Sequence, residues 1–166
     1  MTTNERDDLL ESLTAHRGFL LRTVAGLSDD QARQRTTVSE LTLGGLVKHV
    51  SKVEKGWVDF ILDGPSALEM TADSYAEHAD GFVLRANETL EGVLAEYGKV
   101  AQRTDELVRT LPDLGASHPL PEAPWFPPGA IRSARRVFVH IVAETAQHAG
   151  HADILREALD GQKTMG

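Results

Sequence analysis

Leu9, Leu10, Leu13, Leu20 and Leu21 recur at helical spacing and predict a helix from about Glu5 to Ala25. In "LSDDQARQR", Ser28 with Gln31 three residues on forms a capping-box signature and predicts one short helical turn. The apolar spacing resumes in "TLGGLVKHVSKVEKGWVDFILDG", a long helix with Thr42 as N-cap, Gly64 as stop and Pro65 beyond. Ser66 to about Ala86 is mixed in pattern. It predicts a loop with at most a short helix, long enough to cross over a bundle rather than turn tightly. A third long helix covers about Glu88 to Leu111 and ends before Pro112. The proline-rich loop "GASHPLPEAPWFPPG" follows, and a fourth long helix runs from near Ile131 to Gly161. No strand-like alternation of useful length is visible, and no internal repeat. The pattern predicts an all-α four-helix bundle, a single domain over residues 1–166.

The fourth helix breaks its own pattern. Projected at about 100° per residue with His140 at zero, Val137 and Leu155 fall at about 60°, and Ile141 and Leu159 at about 100°. Glu144 falls at about 40°, His148 at about 80° and His151 at about 20°, inside the stripe that should face the core. Arg135, Asp153, Arg156 and Glu157 point away from it. An unpaired buried carboxylate costs several kcal/mol or takes up a proton, so something in the bundle must satisfy Glu144. On the second long helix, His49 sits at the edge of the face made by Leu46, Val50, Val53 and Trp57, where it can look across the core. Glu144 and His148 lie about 6 Å apart along the axis on one face, within reach of one ion. His140 is about 12 Å from His148 and is too far to join easily. Hydrogen-bonded core histidines are the competing reading of the same residues.

Composition narrows the chemistry. The chain has 166 residues, 41% of them apolar, enough for a real core. Its net charge of −8 argues against nucleic acid as a partner. It has no cysteine, hence no disulfide, thiolate metal site or cysteine nucleophile. No signal sequence or membrane-length apolar run is visible, and a soluble cytoplasmic protein without membrane association is expected. No Gly-rich phosphate loop or GxSxG elbow is present.

"GLVKHV", then "VEKGW", then "ETAQHAGHADILREALDG" together resemble the DinB-like superfamily, and within it the DUF664 branch grouped with mycothiol-dependent transferases. The order "LSDDQARQR…LTLGGLVKHVSKVEKGW" fits that branch, and the resemblance covers nearly the whole chain. It implies an up-down-down-up, YfiT-like bundle. It also implies a divalent metal (zinc first, nickel or iron otherwise) held by a histidine of the second helix and a pair four residues apart on the last. Carried over by residue, the ligands are His49, Glu144 and His148. Many members have histidine where Glu144 stands, whereas the mycothiol-dependent maleylpyruvate isomerase type has glutamate. His151 stands where other branches often carry glutamine, either beside the ligands or as an alternative ligand.

The implied activity is transfer of a low-molecular-weight thiol, mycothiol above all, to a small electrophile. A thiol-dependent isomerase and a non-catalytic metal- or ligand-binding bundle are the alternatives. Trp57 and Trp125 are candidate pocket walls, with core packing the competing role for Trp57. Arg132, Arg135 and Arg136 crowd the start of the last helix, against its dipole. Either a bound anion or salt bridges to the acidic excess would account for them. His16, His78 and His118 are assigned no role. A homodimer is left open, since no interface stripe stands out.

Overall fold

The computed structural model describes residues 4–69 and 80–164; His78 and the middle of the 66–86 connection lie outside the described residues. The helices are α1 (Glu5–Thr23), α2 (Asp29–Arg33), α3 (Leu43–Asp63), α4 (Leu90–Thr110) and α5 (Ala134–Asp160). Their starts are set by side chains that satisfy the first free N–H groups. Asn4 caps α1, Thr42 caps α3, Thr89 caps α4 and Ser133 caps α5, while Ser28 and Gln31 close a full capping box on α2. α5 stops at Gly161, whose φ of 79° is left-handed. The start of α4 falls at Leu90 because the Thr89 hydroxyl takes the Gly92 N–H.

Ion pairs and hydrogen bonds fix the direction of each helix. Glu5 pairs with Arg135 at one end of α1 and α5, and Arg156 donates to the Thr23 and Ala25 carbonyls at the other, so these two helices run parallel. Lys48 meets Glu88 and Asp59 meets Arg103, so α3 and α4 also run parallel. Between α3 and α5 the order reverses: His49 faces His148 and Trp57 faces His140. Arg6 of α1 donates to the Val108 and Leu111 carbonyls at the far end of α4. The result is the all-α, up-down-down-up DinB-like bundle.

The core has two apolar clusters. One gathers Leu20, Leu46, Val50, Tyr97, Ala152 and Leu155; the other gathers Leu13, Trp57, Phe60, Val108, Phe138 and Ile141. On each long helix a buried polar residue falls between the two sets: Arg17, Glu54, Thr104 and Thr145. The Arg17 guanidinium donates to Glu54 at 2.5 Å and to Asp105 at 2.7 Å, and the Thr104 hydroxyl donates to Glu54 at 2.6 Å. Burial pulls the Arg17 pKa down, but Glu54 and Asp105 together raise it above its ordinary value. A polar layer therefore crosses the middle of the bundle, and the candidate site lies in it.

Two expectations need correction. Ser117–Pro119 and Ile131–Ser133 pair as a short antiparallel ladder, which three-residue strands cannot announce by alternation. Arg156, expected on the outer side of the last helix, is only 4% exposed. Its guanidinium ends on the α1 terminal carbonyls, the Asp160 carboxylate and the Gln162 amide, which the wheel of α5 alone cannot show.

The segment entering α4 is laid directly on α3. A Cβ at Gly45 would stand 1.9 Å from the Phe82 carbonyl oxygen. The buried Lys48 ammonium donates to the Val83 carbonyl at 2.9 Å and pairs with Glu88 and Asp80. Gly45→Ala must push that backbone away. It is expected to destabilise by about 1–3 kcal/mol, as overpacking does, and to loosen the contact of Phe82 with His49. A melting temperature equal to the wild type's would refute this.

Candidate metal centre

His49 stands one turn after Gly45 on α3 and is 5% exposed. The Phe82 ring stacks on its imidazole at 3.7 Å between centroids and 18° between planes. The close approach at Gly45 thus sets one wall of the site. From α5, Glu144 and His148 project from successive turns of one face toward α3. His49 Nε2 lies 3.3 Å and His148 Nε2 3.2 Å from the same oxygen, Glu144 Oε1. The two imidazole rings meet edge to face at 4.8 Å. Hydrogen bonds from His148 and then His49 hold the Glu144 carboxyl far below the ordinary carboxylate range, against the opposing effect of its burial.

One donor atom from each residue lies within 4.8 Å of the others, so the three form a group that could hold a metal ion. The two nitrogen–oxygen separations suit one, while the widest separation within the trio, 4.8 Å, has to contract around an ion. Ligands at about 2.0–2.1 Å from a tetrahedral zinc are separated by about 3.3 Å, which matches both nitrogen–oxygen separations. Two neutral imidazoles and a carboxylate are borderline donors suited to a divalent transition ion.

His151 lies outside this trio. Its Nδ1 is 3.3 Å from Nδ1 of His148, the ring nitrogen turned away from Glu144. An N–H on one ring points at the lone pair of the other, so His151 can fix the tautomer and orientation of His148.

Beyond Glu144, one turn toward the start of α5, His140 meets the Trp57 ring edge to face at 4.9 Å. Burial, then the Arg132 charge, lowers the His140 pKa, and Glu144 partly offsets this. Trp57 is 7% exposed and belongs to the core cluster, the packing role weighed for it from sequence. Trp125 is 53% exposed on the proline-rich loop, with its ring against Phe126. His118 ties the hairpin to α3 by donating to the Ile61 carbonyl, and His16 packs near Phe19.

The Glu54 cluster and the Arg132 contacts with Trp57 and Phe126 were not singled out from sequence. Glu54 did carry a signal: with His49 at zero it falls at about 140°, between Ile61 at about 120° and Val47 at about 160°. A carboxylate inside that arc needs a cation. For Arg132 the crowding of cations at the start of the last helix was the signal, but its contact with Trp57, far away in sequence, could not be read from it.

A helical bundle with an inward His-Glu-His group shared by two antiparallel helices defines a class of protein with a metal-competent core. Within that class, a family model described as Mycothiol-S-transferase matches residues 8–161, and the chain belongs to that DinB-like family. A search of curated proteins found no match. Among the described residues, no helix is long and apolar enough to cross a membrane.

Proposed function

We propose that the chain, as one cytoplasmic bundle domain, is a metal-dependent S-transferase that joins mycothiol, or a similar small thiol, to an electrophilic compound, a detoxification chemistry. The observation that carries this reading is the convergence of His49 Nε2 and His148 Nε2 on Glu144 Oε1 at 3.3 and 3.2 Å, in a chain whose family is named for the transfer. His49, Glu144 and His148 would hold the ion, with zinc the first choice, and His151 would keep His148 in the tautomer that leaves Nε2 free to bind. A divalent ion supplies Lewis acidity that favours the thiolate over the thiol, whose ordinary pKa is about 8.5. The chain has no cysteine, so the sulfur nucleophile comes from the small molecule. The thiol proton leaves to solvent, a carbon–sulfur bond forms, and the displaced group departs with its bonding electrons. Phe82, stacked on His49, covers that side of the trio.

The test is metal-replete, tag-free protein assayed with mycothiol, bacillithiol and glutathione against one chloronitroarene. A thioether seen by mass spectrometry, formed fastest with mycothiol, is expected. Recovery of unchanged thiol with a rearranged substrate would assign an isomerase instead. A protein that binds neither metal nor thiol would leave a non-catalytic bundle.

Metal loading should also depend on pH in a defined direction. Coordination needs imidazole nitrogens free of protons, whereas Glu144 stays ionised through the range where carboxylates ordinarily protonate. Affinity is therefore expected to fall on acidification, with close to two protons taken up per ion released. Chelator competition at several pH values measures this, and a pH-independent affinity would exclude the two histidines as ligands.

A further inference from the structure

Arg132 is the central residue of the second hairpin strand, opposite His118 and directly before the Ser133 cap of α5. That position fixes its backbone from two sides. Its guanidinium lies over the Trp57 ring, 4.7 Å from the centroid, and 5.6 Å from the Phe126 ring. A guanidinium held over an aromatic face keeps its N–H groups available for hydrogen bonds of their own.

The fork has no anion. Nη1 is buried and without a hydrogen-bond partner, and Arg132 forms no ion pair among the described residues. Arg17 is matched by Glu54 and Asp105, and Arg156 by two carbonyls, Asp160 and Gln162; Arg33 leaves its Nε without a partner, but its terminal nitrogens meet Asp30 and the Arg85 and Glu88 carbonyls. Arg135 beside it takes Glu5. An acidic excess of 25 Asp and Glu over 17 Lys and Arg makes an unmatched cation less expected still. A buried unpaired donor on a charged group is costly, and such a cost is retained where a ligand supplies the missing acceptor. Arg132 as a whole is only partly buried, so the rest of its side chain stays accessible.

Its place relative to the metal centre is defined. Trp57 bridges Arg132 and His140, and His140 precedes Glu144 by one turn, about 6 Å along the axis. Arg132 therefore stands across the Trp57–His140 pair from His49, Glu144 and His148.

The geometry points to Arg132, on its Trp57 and Phe126 platform, as a specificity-determining residue that binds the carboxylate of a flat organic electrophile whose reactive carbon lies at the metal centre. This rests on the transferase reading for which reactant bears the carboxylate. The subsite itself can be tested without turnover.

Isothermal titration with benzoate, and with benzamide as its neutral counterpart, measures the subsite directly. Wild type is expected to bind benzoate at least about tenfold tighter than benzamide, the return of a charge-assisted fork contact. R132Q should abolish the difference. R132K, which keeps the charge but not the fork, should fall between, and it serves alone if thermal melting shows R132Q to be misfolded. Equal binding of the two probes, or undiminished benzoate preference in the variants, overturns the inference. A second arm uses a chloronitrobenzoate and its carboxamide as electrophiles with mycothiol fixed. The ratio of their KM values is expected to favour the acid in wild type and to collapse in R132Q. Arg132-dependent benzoate binding without any thioether product would keep the subsite and sink the transferase. Thioether formation with no acid preference would keep the transferase and sink the subsite.

Discussion

His148→Ala is expected to yield a folded protein that neither retains a divalent ion nor forms thioether above background. Among the described residues His148 supplies one of three converging donors, and its Nε2 is 3.2 Å from Glu144 Oε1. Without it, Glu144 and His49 offer two donors, too few for the closed side of an open tetrahedral site. The loss of affinity should exceed the roughly 10–100-fold cost of deleting a hydrogen-bonding partner behind a ligand. His151→Ala is the internal comparison. It removes only the contact at His148 Nδ1 and should cost within that 10–100-fold range, leaving measurable activity at high metal. Metal content of tag-free protein and single-electrophile rates read both variants. Full activity in His148→Ala would end the metal-centred reading. Equal losses in the two variants would make His151 a ligand rather than a support.

The largest stability effect is expected at Glu54. Its carboxylate is 1% exposed and receives Arg17 and the Thr104 hydroxyl. Breaking a buried pair by deleting one partner costs about 3–5 kcal/mol, because the other charge is left in the interior. Glu54→Ala should therefore lower the melting temperature by roughly 10 °C, at the 2–4 °C per kcal/mol typical of a chain this size. Arg17 keeps Asp105, so the effect should lie toward the lower end of that range. Combining Glu54→Leu with Arg17→Met removes both charges and should recover most of the loss, since well-packed apolar replacements of buried pairs are often neutral. A single-variant effect below about 1 kcal/mol would show that the pair is not what holds α1 to α3.

These two sites lie in one polar layer, but they were legible to different degrees. Glu144 and His148 stood out because one helix wheel put charge inside an apolar stripe, and a buried carboxylate demands a partner. His49 was reachable as the polar residue at the edge of the facing helix. Glu54 was equally visible on its own wheel but was not singled out, and its partners Arg17 and Thr104 lie on other helices. Spacing offered His49, Glu144 and His148 as a group one ion could reach, and the resemblance separated them from His151.

The sequence by itself determined the local terms. Caps at Thr42, Ser28 and Gly161, the four long apolar stripes and the inward placement of Glu144 and His148 all follow from interactions within a few residues. Contacts between distant segments were decided by tertiary structure alone. Gly45 admits the Phe82 backbone, which stacks that ring on His49. Arg156 turns inward because the end of α1 presents free carbonyls to it. Arg132 lies on Trp57 because the hairpin delivers it there. Helical periodicity encodes which face of an element is buried, but not which atoms of another element will stand opposite. That second choice is made only when the helices pack.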